Sequence, residues 1–285
     1  MDFVPQGVFR RARYLPLQER AWYHVAGMLP CAIIPAYRAT RTIAEVVRET
    51  RAHWPISDAV FVVDDGSNDE TGELARSAGA IVISHSVNQG KGAALRTAMA
   101  HTLKLGFDVA VTLDADAQHP PKEAARLARA DFDPNALVLG IRDLVAAGAP
   151  RPNQISNRIS NYFLSLFTGR TLADTQCGLR RYPLAATLAL RGRDPGYAYE
   201  AEIILRAIAA KMPIVEEKID VYYPPQHERV THFDAVKDPA RIIKRVLATM
   251  ADVRLYPIYL PRPIPVTKSA DSISRDMPPA RSAEL

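Results

Sequence analysis

The stretch VAVTLDADAQHP, Val109 to Pro120, decides how this chain reads. Val109 to Thr112 are small or apolar and run into Leu113, after which Asp114, Asp116 and Gln118 occupy every second position. On extended backbone, residues two apart point to the same side. The spacing therefore predicts three oxygen-bearing side chains converging where a buried strand ends. Two carboxylates beside a hydrophobic strand repel each other unless a cation joins them. Hard divalent ions, Mg²⁺ or Mn²⁺, take oxygen ligands and commonly share them with substrate phosphates. The expectation is a metal–diphosphate site with Asp114, Asp116 and Gln118 as ligands.

Working outward, the same strand-then-helix rhythm recurs. Apolar runs at 31–37 (CAIIPAY), 59–65 (AVFVVDD), 80–85, 107–115 and 136–142 (ALVLGIR) alternate with helical patterns at about 40–54, 69–78, 92–105 and 121–130. Strands that are continuously apolar, separated by helices, indicate an α/β fold with a doubly wound, mostly parallel sheet covered on both faces. Ligands in such sheets bind at the carboxyl ends of the strands. Polar side chains gather there: Tyr37 after the first strand, Asp64 and Asp65 after the second, Asp114 and Asp116 after the fourth, Arg142 after the fifth. If that turn is extended, Asp64 and Asp65 point apart, and one of them faces the ligand.

Composition adds boundaries. With 285 residues, 48% hydrophobic and 24% charged, the chain describes an ordinary globular protein. No apolar run approaches the roughly 18 residues that span a bilayer, and no secretory leader is expected. Cys31 and Cys177 lie in unrelated contexts, which fits a reducing cytoplasm. The net charge of +5 is concentrated late, because residues 237–285 carry nine Lys/Arg against five Asp/Glu. A basic end of this kind meets an anionic membrane surface or is simply solvated. No nucleic-acid module with aromatic stacking positions is present, so nucleic acid is not expected as a partner.

The domain reading is an N-terminal extension at 1–29, one catalytic domain at 30–236, a basic amphipathic helix at 237–256 and a proline-rich, disordered tail at 257–285. Beyond residue 150 the alternation weakens into a helix at 155–168, a polar loop running into a short strand at 174–182, a helix at 197–212 and a half-exposed strand at 214–223. In the helix at 239–253, Ile242, Ile243, Val246, Leu247 and Met250 share one face, suited either to a membrane interface or to the domain core. Phe163, Leu164 and Phe167 of the 155–168 helix read as core or, alternatively, as a membrane-facing patch.

Other motifs carry two readings each. Gly90-Lys91-Gly92 lacks the rest of a Walker loop. It is either a tight turn packed close to its neighbours or a helix start from which Lys91 reaches a phosphate. His119, pinned by Pro120 and Pro121, reads as structural. Glu200 and Glu202 open a helix, where negative charge is favoured in any case. Arg180, Arg181, His227, Arg229 and His232 are either solvated loop charge or a positive rim for a multiply charged ligand.

In order, CAIIPAY, VVDDGSND, NQGKGAAL, LDADAQHPP and GIR resemble the inverting family 2 glycosyltransferases of GT-A fold. The nearest group in appearance is the dolichyl- or polyprenyl-phosphate glycosyltransferases, and the likeness covers about residues 30–245. The resemblance implies that Pro35, Tyr37, Val63 and Asp65 hold the nucleoside of a nucleotide-sugar, either GDP-mannose or a UDP-hexose. It implies Ala115 and Lys91 beside the donor, Asp114, Asp116 and Gln118 at the metal, and Arg142 near the phosphates or the acceptor. Arg229 and His232 fall on a loop that closes over the donor. Ala39 stands where the family favours an acid, and His232 where lysine is common.

The implied reaction is metal-dependent transfer with inversion, catalysed through Asp114, Asp116 and Arg142, with polyprenyl phosphate as the expected acceptor. The implied location is cytoplasmic, with peripheral contact at the inner face of a membrane. The alternatives are a glycosyltransferase acting on a non-lipid hydroxyl, a sugar nucleotidyltransferase, and a non-catalytic nucleotide-sugar-binding protein. PAYRATRT has no glycine after the first strand, which counts against the nucleotidyltransferase.

Overall fold

The computed structural model describes residues 28–129, 132–223 and 237–263, with backbone alone for 237–243. Among them a seven-stranded sheet has the order β3-β2-β1-β4-β6-β5-β7. Its strands are β1 (Pro30–Ala36), β2 (Val60–Asp64), β3 (Ile81–Ser84), β4 (Val109–Thr112), β5 (Leu137–Arg142), β6 (Arg180–Pro183) and β7 (Ile214–Ile219). All neighbours pair in parallel except β6, which runs antiparallel to both β4 and β5. The mostly parallel α/β sheet expected from the apolar runs is present. The short strand expected after the 174–179 loop is there too, inserted between β4 and β5.

Helices cover the sheet by burying apolar faces against it, and the first shows the pattern. Helix α1 (Ile43–His53) buries Ile43, Val46, Val47 and Thr50, the spacing of one helical face. Helix α2 (Thr71–Ser77) follows β2, and α3 (Lys91–Lys104) follows β3. The buried face of α3 includes Gly92, Ala93, Ala94 and Ala98, small residues that let its backbone lie close to its neighbours. Helix α4 (Pro121–Arg129) begins with proline at its first residue, where no N–H is needed. The second half adds α5 (Arg151–Thr168), α6 (Leu184–Ala189), α7 (Ala198–Ala209) and α8 (Lys237–Leu255). The central strands β1 and β2 are almost wholly enclosed. Burying a Val, Ile or Phe side chain contributes about 1.5–3 kcal/mol, so this core dominates stability.

Helix α8 packs on the domain, chiefly against α7. Val246 is fully buried, and Arg206 of α7 pairs with Asp252 at 2.6 Å while Arg245 pairs with Asp194 at 2.8 Å. Within the described side chains, the face expected at a membrane is therefore divided: Val246 points inward and Leu247 outward. Ile242 and Ile243 lie outside the described side chains.

The topology fixes where chemistry can occur. The carboxyl ends of β1, β2, β4 and β5 share one edge of the sheet. Because β6 is antiparallel, its first residue, Arg180, sits opposite Thr112 at the end of β4. The 174–179 loop is thereby delivered to the same edge.

Candidate active site

The chain leaves β4 at Thr112 and turns at once, with Ala117 held at φ 62. A non-glycine residue in the left-handed region is uncommon and strained. Asp114 and Asp116 thus meet across a turn, where the alternation of a strand had been expected to align them. The Gln118 amide donates to Asp116 Oδ1 at 3.0 Å, closing the turn. The Gln118 carbonyl accepts from the Tyr222 amide at 2.8 Å, tying the turn to the end of β7.

Lys91, at the first position of α3, reaches Asp114 Oδ1 at 2.7 Å and Glu200 Oε2 at 3.1 Å. A buried ammonium needs such partners, because desolvation without them costs several kcal/mol. In this structure the Lys91 charge, which was expected near a phosphate, meets Asp114 and Glu200 and positions Asp114. Gly90 and Gly92 make the approach possible. Gly90 has φ 95, and side chains at either residue would run into the Asp194–Gly196 backbone. The tight-turn reading of this motif holds.

Asp114 and Asp116 differ in charge state. Burial raises the Asp114 pKa, but Lys91 outweighs it and holds the carboxyl down at about 2. Asp116 has burial against it and Asp114 as a second repulsive neighbour, and it is pushed up to about 7. Among the described residues no ion pair reaches Asp116, and the Gln118 side chain makes no hydrogen bond. Asp116 is thus a carboxylate short of a cation, next to a second carboxylate and an amide. That donor set fits Mg²⁺ or Mn²⁺, hard ions that take one or two carboxylates and complete their shell with water and substrate phosphates. No group of three or more His, Cys, Asp or Glu side chains arranged for a metal occurs among the described residues.

His119 is buried, with Nδ1 at 3.8 Å from Asp114 and Nε2 at 3.6 Å from Cys177 Sγ. Burial pushes its pKa down to about 4, so the ring is neutral at pH 7. Gly178 lies against Asp114 so closely that a Cβ there would overlap the carboxylate. This contact between β4 and the 174–179 loop carried no sequence signal.

Arg142, the last residue of β5, grips Asp174 through Nε at 2.7 Å and Nη2 at 3.0 Å. Its Nη1 lies 3.4 Å from the Tyr223 hydroxyl. Desolvation opposes its charge, and Asp174 more than restores it, raising the pKa further. Asp174 also accepts from Asn157 Nδ2 at 3.0 Å. Asp174, Asn157 and Tyr223 were not anticipated from sequence. Beyond Arg142 opens a cleft of about 680 Å³, lined by Arg126, Asp143, Val145, Asn157 and Arg158 among others.

On the nucleoside side, Pro35 and Val63 are cross-strand partners in β1 and β2. Pro35 and Tyr37 are partly exposed, whereas Val63 is fully enclosed in the core. Its side chain supports this end of the sheet instead of offering the surface that direct nucleoside contact had implied. Asp65 is 3% exposed and already holds three donors. These are His85 Nδ1 at 2.6 Å, the Gln89 amide at 3.0 Å and the Gly90 amide at 2.7 Å. His85 Nε2 lies 3.0 Å from Thr97 Oγ1, so both ring nitrogens have partners. Asp65 thus fastens the turn that launches Lys91. The Ala115 carbonyl accepts from Thr42 Oγ1 at 2.6 Å. Arg229 and His232 lie outside the described residues.

Arg180 and Arg181 are neither solvated nor ligand-facing. Arg180 is fully buried and donates to the carbonyls of Cys177, Glu200 and Thr175, each at 2.8 Å. It clasps the 174–179 loop to the start of α7. Arg181 points to the other face and lies over the Phe132 ring at 5.8 Å. The antiparallel insertion of β6 puts both inside the sheet, which the polar context of the loop concealed. Glu202 accepts from Arg206 Nε and the amides of Arg193 and Asp194, a structural anchor.

Residues 31–185 match the family described as Glycosyl transferase family 2. The chain is 29% identical over 222 residues to the UDP-N-acetylglucosamine–dolichyl-phosphate N-acetylglucosaminyltransferase of Methanococcus voltae, covering 70% of this chain and 88% of that protein. It is 30% identical over 166 residues to the undecaprenyl-phosphate 4-deoxy-4-formamido-L-arabinose transferase of Sodalis glossinidius, spanning 53% of this chain and 47% of that one. Among solved structures, glucosyl-3-phosphoglycerate synthase of Mycobacterium tuberculosis superposes with a TM-score of 0.62 at 19% identity, covering 82% of this chain and 84% of that chain. The same enzyme in complex with Mn²⁺, UDP and phosphoglyceric acid superposes at 0.60 with 20% identity, covering 82% and 81%. These structures share the GT-A fold. The chain belongs to glycosyl transferase family 2 and is a glycosyltransferase.

Proposed function

We propose that this glycosyltransferase moves a sugar, with inversion, from a nucleotide-sugar to a polyprenyl phosphate. The observation that carries the reading is Asp116, which has no ion-pair partner among the described residues, beside Asp114 and between the β1–β2 end of the sheet and the cleft past Arg142. The dolichyl-phosphate and undecaprenyl-phosphate relatives support the lipid-phosphate class of acceptor. Structures of the neighbouring synthase with Mn²⁺ and UDP-glucose support a metal-assisted nucleotide-sugar donor.

Pro35 and Tyr37 would border the nucleoside, on an edge that Asp65 holds in place through its turn. Asp114, Asp116 and Gln118 would hold Mg²⁺ or Mn²⁺, which when bound supplies positive charge for the donor's diphosphate. Lys91 keeps Asp114 ionised and in place. In the transfer, an acceptor phosphate oxygen forms the new bond to the anomeric carbon. The bond from that carbon to the donor diphosphate breaks, and the nucleoside diphosphate leaves with the electron pair. Arg142, fixed by Asp174, offers its remaining N–H groups to the phosphates on the cleft side. A phosphate monoester has a second pKa of about 6, so the acceptor is already largely ionised at neutral pH. No side chain need remove a proton, which fits Glu200 being engaged by Lys91.

The test is a panel of UDP- and GDP-sugars offered with polyprenyl phosphate in detergent, reading lipid-linked sugar. Product should form with Mn²⁺ or Mg²⁺ and vanish on chelation. Glycosylation of hydroxyl acceptors alone, with no lipid-linked product from any donor, would overturn the acceptor assignment.

A further inference from the structure

Among the described residues, four other than glycine take left-handed backbone: Arg38, Ala117, Arg191 and Lys211. Arg191 and Lys211 each stand just past a helix, α6 and α7, where a left-handed residue commonly closes the last turn. Ala117 belongs to the turn that sets Asp114 against Asp116. Arg38, with φ 50, lies just beyond β1, and no helix end accounts for it. A long side chain in that region is strained, and the conformation persists only where the surroundings impose it.

Its neighbours impose it. The Arg38 amide donates to Ser67 Oγ at 3.0 Å, and the Ala39 amide donates to Thr71 Oγ1 at 2.8 Å. Both acceptors belong to the chain that follows β2, so the strain is kept by the same edge that carries Asp65. The outcome is a defined place for the side chain. The guanidinium carbon lies over the Tyr37 ring, 5.1 Å from its centroid. Arg38 is nevertheless exposed, with no acidic partner among the described residues. A cation–π contact restrains a guanidinium without consuming its N–H donors. A planar set of donors is thus held out, at a backbone cost, beside the residues that border the nucleoside.

We propose that Arg38 reads the base of the donor and selects guanine, so that the donor is a guanosine diphosphate sugar. Guanine presents two acceptors side by side, O6 and N7, and the arginine fork donates to both. Adenine puts an amino donor beside its N7, and uracil sets an N–H between its two carbonyls, so neither offers a matching pair. Lysine in the same place would bring the charge without the fork. The inference rests on the nucleotide-sugar reading above and narrows it, since that reading leaves the base open.

Binding of GDP and of UDP, each with Mn²⁺ and without acceptor, is measured by calorimetry on the full chain, for wild type, Arg38→Gly and Arg38→Lys. Wild type should favour GDP by about tenfold or more, as one bidentate arginine–guanine pair does. Glycine adopts this backbone without strain, so Arg38→Gly should melt within a few degrees of wild type. Its affinity for GDP should fall about tenfold, with that for UDP changed less than about twofold. Arg38→Lys should recover little of the preference. Wild type that binds UDP as tightly as GDP, or an Arg38→Gly protein that keeps the wild-type ratio, would overturn the assignment. Equal losses for GDP and UDP would also overturn it, placing Arg38 on the diphosphate that both share. Transfer to polyprenyl phosphate from UDP-sugars alone would sink the guanine assignment and leave the lipid-phosphate reading standing. An Arg38-dependent GDP preference, with no transfer to that acceptor, would do the opposite. Binding of no nucleoside diphosphate would overturn both.

Discussion

Two aspartates close neighbouring stretches of the same sheet edge, and their surroundings are opposite. Asp65, after β2, is met by an imidazole and two backbone amides. Asp116, after β4, is met by one amide and by the repulsion of Asp114. The first carboxylate is satisfied by its own chain and holds a turn. Among the described residues the second has no ion-pair partner, since Lys91 pairs with Asp114 and Glu200 and Arg142 with Asp174. A carboxylate near a strand end is therefore functional or structural according to its donors, and residue type alone does not tell which.

The comparison can be broken at either aspartate. Asp116→Asn should lower transfer by about 10³-fold or more, as loss of metal-centred charge stabilisation does, with no loss of thermal stability. Stability should even rise, since a repulsive charge is removed beside Asp114. Activity within a few-fold of wild type would show that Asp116 binds no catalytic cation.

Asp65→Asn should do the reverse. Replacing a buried carboxylate that accepts three hydrogen bonds by an amide leaves one donor facing another, at a cost of about 2–3 kcal/mol. Chemical denaturation should show that loss, with donor KM changed little in the protein that remains folded. A selective rise in KM at unchanged stability would make Asp65 a ligand contact after all.

A gentler change sharpens the picture from the Asp114 side. Gly178→Ala places a methyl group against the Asp114 carboxylate and must shift it. Turnover should fall by about 10–100-fold while the melting temperature moves by only a few degrees. Unaltered turnover would mean that the position of Asp114 is not critical.

The first half of the chain was legible because its signals are local. Apolar runs of strand length, helical spacing behind them and glycines at 90 and 92 each reflect physics within a few residues. The convergence of Asp114 and Asp116 was expected for the wrong backbone reason. Extended geometry was assumed, whereas Ala117 turns left-handed, and alanine gives no hint of that. Arg180 and Arg181 were misread because burial came from β6 inserting between β4 and β5, a pairing made across the chain. The same distance effect hid the Arg142–Asp174 clamp and turned the Ser156–Asn157–Ser160 side of α5 inward. Where a charge finds its partner is a long-range fact, and partners decide what a charged residue does.

The most direct test of the cation at Asp116 is calorimetric titration of Mn²⁺ into the protein with saturating nucleoside diphosphate, comparing wild type with Asp116→Asn. The account predicts a saturable binding isotherm for the wild type and at least about a tenfold loss of affinity in the variant, as removing a ligand from an oxygen-coordinated site does. Equal Mn²⁺ affinity in the two proteins would contradict it.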